Sequence, residues 1–253
     1  MLNRSNLIYI YDGSFEGLIC CVFESYYKHE IPMDIVKLNT SQITFFPTNE
    51  IITDLEKYNR VLVSIKDKIG FSALESIQYA FLSCLEKKEL YILLFLRMGY
   101  KYGPSVMTML SHDVVATIFK AIKHLENESH LLKGLIRFSV FNNGLAAEIE
   151  PKNFVLPLLI KHFSERYPEE YFLIHDKTHN MALIYKPYEA NIIPVENMTF
   201  PSLDAEEKHF RKLWGLYYNT VEIRERHNPK CQMSHMPKRY WKYLTEFTYN
   251  SKL

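Results

Sequence analysis

The sequence is poor in the features that announce a simple class. Its four cysteines, Cys20, Cys21, Cys84 and Cys231, include one adjacent pair and no regular spacing, so they supply neither a disulfide framework nor a C-x-x-C metal or cluster motif. A reducing, cytoplasmic setting follows as an expectation. Eight glycines and 11 prolines in 253 residues exclude collagen-like, linker-rich and low-complexity chains. The most apolar run, 90–96, is far shorter than the roughly 20 residues that cross a bilayer. The first 11 residues lack the basic, apolar and small-residue regions of a signal peptide. No membrane partner is expected. A dominant charge is missing too: 30 Lys+Arg against 29 Asp+Glu rule out a uniformly basic nucleic-acid sleeve or an acidic tail.

What is present is core material. A hydrophobic content of 47%, with 14% aromatic residues, suffices for one large domain or two small ones. Residues 7–11 read as a strand, Asp12-Gly13-Ser14 as a turn, and Phe15 onward as a helix, with Ser14 as N-cap and Glu16 in the first turn, where the helix dipole favours an anion. Helical patterns at 49–66, 71–87, 89–101 and 105–127 form an all-helical insert. From 135 the period changes to two. A hairpin around Asn142-Asn143-Gly144, a helix at 154–167 and a strand pair around Asp176-Lys177-Thr178 give the order ββαββ. The fold class is α+β: a small antiparallel sheet with a helix on one face, and a large helical portion.

Residues 186–202, with Pro187, Pro194 and Pro201, read as an extended connector. A helix begins near Asp204, with Glu207 at capping-box spacing. Its apolar face is Phe210, Leu213, Trp214, Tyr217 and Val221, interrupted by Gly215, which weakens a helix interior. A last short helix spans about 238–247. The expected organisation is a body at 1–202, with its insert at about 49–127, and a basic, aromatic helical segment at 203–253 packed on it as one domain.

The even charge balance conceals an asymmetry. Residues 208–253 hold ten Lys/Arg and three Asp/Glu, a surplus of seven positive charges; the rest of the chain holds 20 and 26, six negative. Aromatic residues interleave with those cations. Cations suit phosphates and aromatic faces suit unpaired bases, so the segment has the composition of a surface for single-stranded or distorted nucleic acid. The alternative is that it docks on the acidic remainder of the same chain.

Other constellations carry less. Glu148 and Glu150 share a strand face and could act as an acid/base pair, with His175 and Asp176 nearby. Acids on an exposed strand face and an Asp closing a turn explain the same residues structurally. Ser111-His112-Asp113 has the letters of a triad, but helix neighbours point in different directions. His227, Cys231 and His235 lie among prolines, and no metal site is expected.

Several separated stretches resemble a bacterial family linked to DNA metabolism or DNA repair, a domain of unknown function. They are Tyr11-Asp12-Gly13-Ser14-Phe15-Glu16-Gly17 with Val22-Phe23-Glu24, then Lys133-Gly134-Leu135-Ile136-Arg137-Phe138, Glu148-Ile149-Glu150-Pro151 and Ile174-His175-Asp176. The most specific are Arg226-His227-Asn228-Pro229-Lys230 and Met236-Pro237-Lys238-Arg239-Tyr240-Trp241-Lys242. The resemblance implies a partner, a radical-SAM protein of DNA repair or modification; in some lineages a similar domain is joined to a uracil-DNA-glycosylase-like domain. This chain has no C-x-x-x-C-x-x-C motif and no recognisable glycosylase signature, so cluster chemistry would belong to the partner and no cofactor is expected here.

The combined expectation is a DNA-binding accessory protein. Lys212, Arg226, Asn228, Lys230, Lys238, Arg239 and Lys242 form its DNA face, and Tyr240 or Trp241 stacks on a displaced base. Asp12, Gly13, Ser14, Glu16 and Gly17 order the first turn or dock the partner. Two alternatives stand beside it: an enzyme acting on a damaged or modified base through Glu148, Glu150, His175 or Asp176, and a docking adaptor without DNA contact.

Overall fold

The computed structural model describes residues 6–38, 45–141, 144–196 and 198–248. It is α+β, and it divides into two compact units, 1–125 and 126–253.

In unit 1 the strands β1 (Ile8–Tyr11), β2 (Asp34–Lys37) and β3 (Thr48–Glu50) form a parallel sheet in the order β2-β1-β3. The central strand is apolar, and Tyr9 and Tyr11 are fully enclosed. Between β1 and β2 the chain crosses through α1 (Phe15–Tyr27), the connection parallel strands require. Ser14 caps α1 as expected, its hydroxyl accepting from the Gly17 N–H at 2.9 Å. The helices α2 (Leu55–Lys68), α3 (Phe71–Leu82) and α4 (Lys88–Tyr102), and the start of α5 (Asp113–Leu135), complete the layer. Leu18, Ile19, Cys20, Cys21, Ile65, Phe95 and Ile118 belong to its core.

The all-helical insert is corrected at its leading edge. Thr48–Glu50 is a strand paired with Ile8–Ile10, not the start of a helix. Its polar residues pair through the backbone alone, so no alternation marks it. Asp34–Lys37 escaped notice for the related reason that four residues are too few to show a period.

In unit 2 the strands β4 (Ser139–Phe141), β5 (Gly144–Ile149), β6 (Phe172–Asp176), β7 (Met181–Lys186) and β8 (Glu189–Pro194) lie in that order in one sheet. The expected sheet is antiparallel at β4–β5, β6–β7 and β7–β8. At β5–β6 it is parallel, because α6 (Leu156–Arg166) carries the chain back to start the next strand from the same end. Part of the expected connector is also a strand. β8 takes the sheet edge, where Pro194 at its last position removes no needed hydrogen bond. Asn142 and Asn143 of the expected hairpin lie outside the described residues.

An edge-to-face group of Phe138, Phe163 and Phe172 binds α6 to this sheet. Beyond it come α7 (Ala205–Thr220), α8 (Pro229–His235), a 3-10 helix at Lys238–Tyr243 and α9 (Thr245–Thr248). Among the described residues no single helix is long and apolar enough to cross a membrane.

Candidate nucleic-acid interface

The basic segment divides into paired and open cations. Part of it is neutralised within unit 2. Arg239 pairs with Glu128, Lys242 donates to Glu150 at 2.5 Å, and Arg211 donates to Glu207 at 2.9 Å. Arg239 and Lys242 therefore start from an internal carboxylate rather than from water. Tyr240 is 2% exposed and gives its hydroxyl to Glu128 at 2.6 Å, so it has no free face for a base. That overturns its expected stacking role; its place beside two cations in sequence hid a core residue.

The other part is open. Lys208, Lys212, Arg226, Lys230 and Lys238 are exposed and have no ion pair among the described residues. Asn228 is occupied locally: it caps α8, its side-chain oxygen accepting from the Cys231 N–H at 3.1 Å. It sets the direction of α8, which carries Lys230 in its first turn. Trp241 is half-buried and fixed. Its Nε1 donates to the Met236 carbonyl at 2.7 Å, one face stacks on Phe247 at 4.4 Å, and the Lys238 ammonium lies 5.7 Å from the ring.

The apolar face expected of α7 is reversed. Phe210, Leu213, Trp214, Tyr217 and Val221 are all exposed, whereas Gly215 is buried and Glu207, Arg211 and Tyr218 are half-buried. The packed face of α7 therefore runs along Glu207, Arg211, Gly215 and Tyr218, and Tyr218 meets Phe247 of α9 edge to face at 5.7 Å. The outward side chains of Phe210, Leu213, Trp214 and Tyr217 line a shallow groove of about 480 Å³. Gly215 was the available signal, since a glycine in a helix interior can mark a packed face as well as a weak point.

Two buried carboxylates organise this end of unit 2. Glu128 accepts from the N–H groups of Lys152 and Asn153, the Asn153 side chain, Tyr240 and Arg239. Burial works to raise its pKa, but these donors, Tyr240 foremost, hold it below the usual carboxylate value. Glu246 accepts from Arg137 at 2.8 Å and from Trp214 Nε1 at 3.1 Å. It too is held low against the effect of burial, chiefly by Arg137.

The four acid/base candidates do not converge. Glu148 and His175 are neighbours across the β5–β6 register, with His175 Nδ1 3.7 Å from Glu148, beyond hydrogen-bond reach. Asp176 follows His175 in the same strand and points to the opposite face. Both its oxygens are taken: one accepts the N–H groups of Thr178 and His179, and the other lies 2.6 Å from His179 Nδ1. Asp176 therefore closes the β6–β7 turn. Glu150 meets Lys242, as above. Among the described residues no three His, Cys, Asp or Glu side chains gather as a metal site.

In unit 1 the Asp12-Gly13-Ser14 turn satisfies itself. Asp12 accepts from the Ser14 N–H at 2.9 Å, the Ser14 hydroxyl at 2.6 Å and Thr53 Oγ1 at 2.7 Å. Gly13 has φ of +89°, a conformation that side chains disfavour, and Glu16 sits half-buried in the first turn of α1.

An α+β chain with a basic, aromatic helical end is the class these observations define. The family model "Domain of unknown function (DUF4130)" matches residues 86–246, and the chain belongs to that family. No curated protein matches the chain. Among solved structures, the pGpG-specific phosphodiesterase PggH from Vibrio cholerae is similar at 10% identity and a TM-score of 0.30, over 70% of this chain and 81% of that one. That likeness is too slight to carry fold or function across.

Proposed function

We propose that the protein is a nucleic-acid-binding accessory of DNA repair or metabolism that works with a radical-SAM enzyme. The observation that carries the reading is the set of exposed cations Lys212, Arg226, Lys230 and Lys238, without an ion pair among the described residues, of which Lys238 lies over a fixed Trp241. Cations without an internal partner gain most from phosphate, through release of its counterions. A tryptophan already immobilised on one face loses little entropy when a base stacks on the remainder. The resemblance of the stretches 226–230 and 236–242 supports DNA as the polymer and a radical-SAM protein as the partner. The apolar groove of α7 is the surface that reading gives to the partner enzyme.

The test is a salt titration of binding to single-stranded and damaged duplex DNA. Binding that weakens steeply with salt, and falls in Lys230→Ala with Lys238→Ala, is expected. No affinity at low salt, or affinity indifferent to those changes, rejects the DNA contact. Loss of co-purification with the radical-SAM protein in Phe210→Ser with Leu213→Ser is the separate test of partner docking.

A further inference from the structure

Unit 1 carries a second concentration of rings and cations, outside the segment discussed above. Phe23, Tyr26 and Tyr27 fall on one face of α1 by their three- and four-residue spacing, and Arg60, Ser64 and Lys68 do the same on α2. With Tyr100 of α4 they line a groove of about 480 Å³. A neighbouring groove of about 620 Å³ also borders Tyr26 and Tyr100 and adds Arg97, Lys101 and His112. Neither groove is lined by an Asp or a Glu. Arg60, Lys68, Arg97 and Lys101 therefore line the two grooves with no lining carboxylate to offset them.

The rings are held, not loose. Tyr26 and Tyr100 meet edge to face at 5.3 Å, and the Arg97 guanidinium lies 4.6 Å from the Tyr26 ring while donating to Ser25 Oγ at 2.9 Å. Arg60 lies 5.3 Å from the Phe23 ring, and Lys68 lies 5.9 Å from that of Tyr100. The nearby acid Glu24 is already bound to Lys57 and Lys28, so it does not neutralise the groove. Arg60 and Lys68 have no ion pair among the described residues. Tyr27 is 73% exposed, which leaves a large aromatic surface in water beside two uncompensated cations.

Those features select a ligand chemistry. A quaternary or methylated ammonium would suit the rings but would be repelled by Arg60 and Lys68, with no carboxylate to balance it. A simple anion would use the cations and leave the rings idle. A group that is planar and aromatic at one end and anionic at the other uses both, and the groove has the size of a small-molecule site.

We propose that this groove binds a nucleotide, with the base stacked on Tyr27 and the phosphate between Arg60 and Lys68. The same chemistry is offered by a free nucleotide and by one unit of a single strand. Neither source depends on the basic segment of unit 2.

The experiment is calorimetric titration of the full-length protein at low salt with adenosine monophosphate, ribose 5-phosphate, adenosine and a six-nucleotide deoxyadenosine strand. Adenosine monophosphate is expected to bind saturably, with ribose 5-phosphate and adenosine each about tenfold weaker or more. Tyr27→Ala should weaken the nucleotide by about tenfold, and Tyr27→Phe should restore it, since only the ring is needed. Arg60→Ala with Lys68→Ala should leave adenosine monophosphate no better than adenosine. These side chains lie at the surface, so an unchanged circular dichroism spectrum and melting temperature are expected in each variant. The strand is titrated in the Lys230→Ala with Lys238→Ala background. There, binding tighter than the mononucleotide that is lost on adding Tyr27→Ala assigns the groove to a strand, and binding no tighter than the mononucleotide, or tighter only through a part that Tyr27→Ala leaves in place, assigns it to free nucleotide. Absence of saturable binding by both ligands overturns the proposal, as does binding unmoved by Tyr27→Ala and by the double cation change.

Discussion

Tyr240 donates its hydroxyl to Oε1 of Glu128 at 2.6 Å, and both residues are buried. The bond joins positions 112 residues apart and fixes the 3-10 helix at Lys238–Tyr243 to the start of unit 2. It also separates adjacent residues by role: Tyr240 and Arg239 serve the fold, whereas Lys238 faces solvent over Trp241.

That separation is testable in neighbouring positions. Arg239→Ala removes one partner from a buried carboxylate and should cost about 1–2 kcal/mol, a figure reduced for the partial exposure of the guanidinium. Lys238→Ala should stay within about 0.5 kcal/mol of the parent, because an exposed cation without an ion pair contributes little. In nucleic-acid binding the order reverses: Lys238→Ala should reduce the salt slope by about one, as loss of a single phosphate contact does. Urea denaturation and a salt series on the same two proteins give the answer, and equal effects of both changes on both measurements would refute the division.

Acid should loosen this end of unit 2 through two carboxylates. Glu128 and Glu246 both have pKa values depressed below the ordinary 4.5. A depressed folded value means that their contribution is complete above the unfolded pKa and is lost as pH falls through the folded one. Stability should therefore hold from neutrality to about that ordinary value and decline below it. Glu246→Gln should flatten the decline, and Trp214, whose Nε1 donates to Glu246, provides a fluorescence signal for it. A stability loss centred well above the ordinary carboxylate range would implicate other groups.

The first turn of unit 1 predicts a glycine requirement. A Cβ on Gly17 would lie 2.3 Å from Asp12 Oδ1 and 2.8 Å from Thr53 Oγ1, the two atoms that hold the turn. Gly17→Ala should therefore cost about 1–3 kcal/mol in denaturant unfolding. Gly99→Ala is the comparison: its Cβ would lie 2.6, 3.0 and 3.2 Å from Cδ1, Cγ2 and Cγ1 of Ile69, a buried β-branched core side chain with no room to turn aside. Losses of similar size at Gly17 and Gly99 are expected, and a variant at either position that unfolds like the parent would refute the close contact there.

Much of the fold was legible because it rests on local chemistry. Ser14 caps α1 at the turn that precedes Phe15, Asp204 caps α7 at its capping-box spacing to Glu207, and the β6–β7 turn closes on Asp176 as an Asp turn should. What escaped depends on long-range pairing. β3 and β8 are strands because a neighbour supplies hydrogen bonds, not because Thr48–Glu50 or Glu189–Pro194 shows a period. The site divided along the same line. Composition located the cations of residues 208–253, but only the partners Glu128 and Glu150, far back in the chain, separate Arg239 and Lys242 from Lys230 and Lys238. The rings of α1 and α4 and the cations of α2 were not legible because each helix alone is ordinary, and the groove exists only once Tyr27, Arg60 and Tyr100 line it together.

The reversed face of α7 yields the last expectation. Hydrophobic periodicity would bury Phe210, Leu213 and Tyr217, yet these are 57%, 46% and 57% exposed while Gly215 is buried. Gly215 is the buried residue of α7, next to Trp214, so a large side chain there should disturb the packed face and the Trp214–Glu246 bond. Gly215→Leu should then cost about 2 kcal/mol and shift tryptophan emission to the red. Phe210→Ser with Leu213→Ser should change stability by only about 0.5 kcal/mol each, since exposed residues lose little on truncation. The opposite ranking would show that α7 buries its apolar face in solution, and would remove the groove that the proposed function gives to the partner enzyme.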